Sequence, residues 1–95
     1  MSLKLLETED GCLTIENNAD FVDGIFIHWE IYNWSPSKVK MYKEYWVEIV
    51  AALHRRNVKG LYAIPPTEFE EKLIKMFGFK YTGLTYRGYK LMRHE

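Results

Sequence analysis

Between Phe21 and Ile64 the hydrophobic period of this chain changes twice, which restricts the possible folds more than any other feature. In the run Phe21 to Asn33, the residues Ile25, Ile27, Trp29 and Ile31 alternate with Phe26, His28, Glu30 and Tyr32. A period of two in β-branched and aromatic residues specifies a strand, with the isoleucine face the drier one. Ser35-Pro36 then marks a helix start, because Ser caps free backbone N–H groups and Pro suits the first helical position. Val39, Tyr42, Trp46, Ile49, Val50 and Leu53 recur at spacings of three and four, forming one face of a helix that runs to about Arg56. Asn57 is a left-handed stop for it. Leu61 to Ile64 is short, apolar and bounded by Gly60 and Pro65, as a buried central strand is.

The flanking segments extend this pattern. Leu3 to Glu7 and Cys12 to Glu16 lie on either side of Asp10-Gly11, a two-residue hairpin signal. Asn17-Asn18-Ala19-Asp20 is the next turn, and Gly24 marks a bulge or bend early in the third strand. Thr67 followed by Glu70 makes a capping box. It opens a second helix whose expected inner face is Phe69, Leu73, Met76 and Phe77, ended by Gly78. Phe79 to Tyr86 and Tyr89 to Arg93 are two further strands, joined at Arg87-Gly88. The expected architecture is α/β (α+β): a mixed, mostly antiparallel sheet with two core helices, in the order βββαβαββ, within one domain, residues 1–95.

A chain of 95 residues makes one domain at most. At that size it buries only about 60–65% of its unfolded surface, so its stability margin is narrow. Three Trp, seven Tyr and five Phe offset this with large apolar areas. Thirteen Lys and Arg balance thirteen Asp and Glu, but one Lys faces seven acids in residues 1–33, and six bases face Glu44 and Glu48 in residues 34–62. That asymmetry reads either as an acidic sheet face beside a basic helix start suited to an anion, or as ordinary surface charge. A global basic footprint for nucleic acid is absent. The single Cys12 has no intramolecular disulfide partner and sits in an apolar alternation, as a buried, inert thiol does. No apolar run approaches membrane-spanning length, and no secretory signal opens the chain, so a cytoplasmic protein is expected. His28, His54 and His94 are too scattered for a metal pattern, and no P-loop, dinucleotide fingerprint or nucleophile elbow occurs.

From Leu73 to Gly83 the chain ends a short helix and continues Gly-Phe-Lys-Tyr-Thr-Gly. With Leu61-Tyr62-Ala63-Ile64 ahead of it, this run resembles the C-terminal half of the Gcn5-related N-acetyltransferase (GNAT) superfamily, over residues 25–93. The resemblance implies a GNAT-like fold lacking the first strand and the first two helices. In that family an Arg/Gln-x-x-Gly-x-Gly turn receives the pyrophosphate of acetyl-CoA. The motif falls on Ser37 to Tyr42, where Lys40 and Tyr42 replace the two glycines. Glycine there lets phosphate approach backbone N–H groups at a helix start. A Tyr side chain obstructs that approach, while Ser37, Lys38, Lys40 and Lys43 remain as candidate cofactor-binding groups. The family's general-acid Tyr falls on Ile74, which donates no proton; Tyr62 and Tyr81 are the candidate replacements. His28 and Glu30 share one strand face, where the family often keeps its general base.

The resemblance extends to small phage-encoded GNAT-like proteins. It implies a catalytically inactive, protein-binding or structural module of a phage particle or its assembly, with a homodimer expected and the host cytoplasm or the virion as its location. The alternative is a small acetyl-CoA-dependent N-acetyltransferase using Glu30 or His28 as base and Ser37, Lys38, Lys40 and Lys43 around the cofactor. A glycine-lined open notch beside the third strand favours the enzyme. Tyr42 filling that notch, with Trp34 or Trp46 at a self-association surface, favours the binding module.

Overall fold

The runs of period two become strands and the runs of period three and four become helices in the computed structural model, which describes residues 2–17, 24–32 and 35–94. The elements are β1 (Ser2–Thr8), β2 (Gly11–Asn17), β3 (Gly24–Ile31), α1 (Pro36–Arg55), β4 (Gly60–Ala63), α2 (Glu68–Met76), β5 (Phe79–Tyr86) and β6 (Tyr89–His94). Their order is the expected βββαβαββ. The expected turn at residues 18–20, the first three residues of the expected third strand, Asn33 and Trp34 lie outside the described residues. The strands form one six-stranded sheet in the order β1-β2-β3-β4-β6-β5. Among the described residues the only parallel pair is β3 with β4.

One turn expectation needs correction. Thr8 pairs with Gly11, so the first hairpin turns on Glu9-Asp10 and Gly11 already belongs to β2. Glycine is required at 11 by a close approach, since a Cβ there would lie 2.2 Å from the Glu30 carbonyl oxygen. The β2–β3 register is continuous from Asn17↔Ile25 to Gly11↔Ile31, so the expected bulge or bend at Gly24 lies at the edge of the described residues. Gly24 pairs with Gly60, and a Cβ on either would lie 2.7 or 2.5 Å from the Tyr62 ring. The two glycines together make a bed for that ring. Register shifts occur elsewhere, between Lys4 and Leu6 and between Tyr81 and Thr85.

The helix ends follow local chemistry. Ser35 Oγ accepts the Lys38 N–H and Thr67 Oγ1 accepts the Glu70 N–H, at 3.2 and 3.1 Å. Asn57 has a left-handed backbone (φ 64°), with its N–H on His54 O and the Val58 N–H on Leu53 O, which closes α1 in a Schellman motif. At the last hairpin Arg87 and Gly88 have φ of 52° and 82°, as a two-residue hairpin turn with both central residues at positive φ demands.

Both helices cover the same face of the sheet. The core joins Tyr42, Trp46 and Leu53 of α1 and Leu73, Ile74 and Phe77 of α2 to one alternating set of strand residues, including Leu13, Ile27, Trp29, Leu61, Phe79 and Met92. Trp29 is at its centre, stacked on Phe77 at 4.9 Å and edge-on to Tyr42 and Trp46. The inner face of α2 differs from the expected one. Phe69 and Met76 are 57% and 47% exposed, while Ile74 is buried. The buried stripe of α2 is rotated toward the sheet, whereas Phe69 and Met76 line an open apolar groove of about 620 Å³ beside Pro36 and Val39 of α1. Periodicity recorded both surfaces as one apolar face.

Candidate functional site

β3 and β4 pair only from Gly24–Phe26 to Gly60–Tyr62 and then part. After Ala63 and Ile64 come Pro65 and Pro66, neither of which has a backbone N–H to continue a ladder. A cleft of about 240 Å³ opens where the strands separate. Phe26, Trp29, Ile64 and Pro65 line its sides, Ile74 comes from α2, and Tyr86 and Arg87 come from the tip of the last hairpin. Its described lining contains no glycine. Trp29 Nε1 is buried and without a hydrogen-bond partner among the described residues.

The sheet face opposite the helices carries its own row of side chains. The ladders connect Glu16 to Phe26, Phe26 to Tyr62, Tyr62 to Arg93 and Arg93 to Lys80, one residue from each of five adjacent strands. Phe26 lies 6.1 Å from Tyr62 and stacks on Tyr86 at 5.4 Å. Arg93 sits over the Tyr62 ring and Arg87 over the Tyr86 ring, at 5.7 and 5.2 Å, with cation–π geometry. Leu91 is buried on this side, outside the helix-side core. The charges are divided between the two halves of the face. Glu7, Glu16 and Glu30 stand on β1, β2 and β3, with Lys4 paired to Glu7 at 3.3 Å. Arg93 and Lys80 stand on β6 and β5.

His28 and Glu30, the candidate acid–base pair, stand together on this helix-free face, with His28 Nε2 and Glu30 Oε1 3.1 Å apart. Glu30 Oε2 accepts the Tyr32 hydroxyl at 2.9 Å and the Cys12 thiol at 3.6 Å. The Tyr32 hydrogen bond, followed by those of His28 and Cys12, holds the Glu30 carboxyl below the usual carboxylate range. The same bond pushes Tyr32 up to about 12. A carboxylate already holding three donors is a weak base at neutral pH.

The four candidate cofactor groups are not brought together. Lys38 Nζ is held by Asp10 Oδ1 at 2.7 Å, and Ser37 Oγ lies 3.2 Å from Ser35 Oγ. Lys40 and Lys43 are exposed on α1, with Lys40 roughly 200° around the helix from Lys38. None of the four lines the cleft. Tyr42 does not fill the cleft either; it is fully buried against Trp29, with its hydroxyl 2.6 Å from Thr8 Oγ1. Trp46 is 4% exposed and donates Nε1–H to the Phe77 carbonyl at 2.9 Å, so it lies in the core and offers no association surface. Tyr62 belongs to the helix-free face, and Tyr81, beneath Lys90 at 5.4 Å, is also away from the cleft. Sequence reasoning missed Tyr86, Arg87 and the Glu16-to-Lys80 row. Strand parity carried part of that signal, but only pairing aligns residues far apart in the chain.

Among the described residues, no group of three or more His, Cys, Asp or Glu is placed to hold a metal ion, and no helix is long and apolar enough to cross a membrane. No family model matches this chain, and neither a curated protein nor a solved structure matches it.

Proposed function

We propose that this chain is a catalytically inactive GNAT-like module that works by protein binding through the helix-free face of its sheet. The observation that carries this reading is the one-sided layering: both helices pack on one face, while the other holds an aromatic row flanked by opposite charges. A sheet face that carries aromatic side chains and no helix among the described residues is a candidate binding surface. The family reading is supported by the element order and by the parallel β3–β4 pair that parts around a cleft. The setting in a phage particle or its assembly rests on the sequence resemblance alone.

A second reading, an acetyl-CoA-dependent N-acetyltransferase, is favoured by that cleft. The residues at the start of α1 do not suit the cofactor. Ser35 Oγ already takes the Lys38 N–H, and the Asp10 carboxylate stands against Lys38 where a pyrophosphate would need positive charge. Ile74 offers the cleft no proton, while His28 of β3, the candidate base, does line it.

Isothermal titration with acetyl-CoA, and separately with CoA, tests the choice. The expected result is no heat up to millimolar ligand with the protein folded. Micromolar binding of either ligand would overturn the inactive-module reading.

A further inference from the structure

Resting on the protein-binding reading, we infer that the cleft between β3 and β4 takes an extended peptide segment of the partner, which adds a strand to the unpaired edge of β3. Four consecutive residues of β3, Phe26, Ile27, His28 and Trp29, line the cleft. Side chains of neighbouring strand residues point to opposite faces. A cleft that touches all four therefore runs along the edge of the strand, where the backbone is.

The direction of that backbone follows from the β2 ladder. The Tyr32 N–H donates to the Asp10 carbonyl at 2.7 Å, and this pair continues the register of Gly11↔Ile31. Directly opposed residues of an antiparallel pair alternate between bonded and non-bonded. Phe26, His28 and Glu30 thus turn their N–H and C=O groups toward β2, while Ile25, Ile27, Trp29 and Ile31 turn theirs toward β4. The β4 ladder ends early, at Phe26↔Tyr62. Beyond it the N–H and C=O of Trp29, and those of Ile31 after it, have no backbone partner among the described residues. Trp29 is 3% exposed, so its groups are nearly dry. Pro65 and Pro66 on the opposite wall offer carbonyls and no N–H.

Unpaired strand backbone in a dry site is completed by another backbone, because donors and acceptors of two extended chains recur at the same spacing. The space suits that occupant. A cleft of about 240 Å³ holds the volume of about eight waters at ~30 Å³ each, close to the backbone atoms of two residues. From Ile27 to Ile31 the free edge is roughly 16 Å long at ~3.3 Å per residue, so a segment of about three to five residues meets all of it. Ile64, Pro65 and Ile74 give the added ladder apolar walls that exclude water.

NMR titration of the full chain with the tripeptide acetyl-Val-Thr-Val-amide, whose β-branched residues favour the extended form, tests the inference. The backbone N–H signals of Trp29 and Ile31 are expected to move downfield together and to saturate in the millimolar range. Those of His28 and Glu30, already bonded to β2, are expected to move less. Peptides N-methylated at the first or at the second residue lose a donor from opposite edges. One of the two is expected to bind about tenfold more weakly and the other to stay within about threefold. Trp29 and Ile31 signals that stay in place up to the solubility limit of the peptide overturn the inference, and so does binding indifferent to both methylations. Acetyl-CoA separates the two levels. A chain that ignores both peptide and cofactor loses only the strand addition, whereas a chain that binds the cofactor loses the underlying protein-binding reading.

Discussion

The two faces of this sheet come from the same strands, and what lies against them makes them different. On the helix side Leu13, Trp29, Leu61 and Met92 are at most 3% exposed. One residue along each strand, Thr14, Phe26 and Tyr62 are half-buried, while His28, Glu30 and Arg93 are exposed. Burial stabilises in proportion to the apolar area removed from water, so folding free energy is concentrated on the helix side. The other face keeps aromatic and charged groups, with no helix on it among the described residues. The helix-covered side and the helix-free side are thus separated by a single step in strand parity.

Trp46→Ala is the most severe way to challenge this division. It removes a ring that meets Trp29, Phe77, Phe79 and His94 and the hydrogen bond to Phe77. The expected loss is about 3–5 kcal/mol, against a total stability of roughly 5–15 kcal/mol for a small domain. Urea denaturation measures it, and a loss below about 1 kcal/mol would contradict a helix-side core centred on these rings.

A glycine on the open face should be the exception to the rule. Gly60→Ala drives a Cβ into the Tyr62 ring, with an expected cost of about 1–3 kcal/mol. In a Tyr62→Ala background most of that cost should vanish. Strict additivity in the double-mutant cycle would show that the glycine serves something other than the ring.

Acid should expose the difference between the faces in two stages. Burial, and then the charge of His54, hold the His94 imidazole below its ordinary 6.5. The unfolded chain therefore takes up that proton first, and stability falls as pH drops below about 6.5 until folded His94 is itself protonated. Glu30 and Glu71, held below 4.5 by their hydrogen bonds, add a second loss at lower pH as they are protonated. His94→Gln should flatten the first stage and leave the second. Urea midpoints across pH read both, and an unchanged first stage would remove His94 as its source.

The smallest effect belongs to the exposed polar cluster. Glu30→Gln should cost no more stability at neutral pH than protonating Glu30 does at low pH, while Tyr32 titrates closer to 10.0, because the carboxylate that holds its proton is gone. Ring resonances of Tyr32 followed by NMR through alkaline pH would show it. A Tyr32 still titrating near 12 would mean that another group sets its pKa.

Local chemistry made much of the fold legible. The Ile25–Ile31 alternation, the Ser35-Pro36 start, the Asn57 stop and the Arg87-Gly88 turn each depend on backbone rules spanning a few residues. The errors came where neighbours distant in sequence intervene. Asp10-Gly11 reads as a turn, whereas Gly11 lies in β2 where a Cβ would meet the Glu30 carbonyl oxygen, and a Cβ at Gly24 would meet the Tyr62 ring. Phe69 and Met76 were read as sheet-facing because periodicity does not say which neighbour an apolar stripe meets.

For the candidate site, the sequence placed His28 and Glu30 on one strand face, since a strand alternates sides whatever surrounds it. Strand order and register decided the rest. They aligned Glu16, Phe26, Tyr62, Arg93 and Lys80, paired Lys38 with Asp10, and, among the described residues, left one face without helices. The physical reason is that side-chain parity is a property of each strand, whereas its partner is chosen by the free energy of the whole packed sheet.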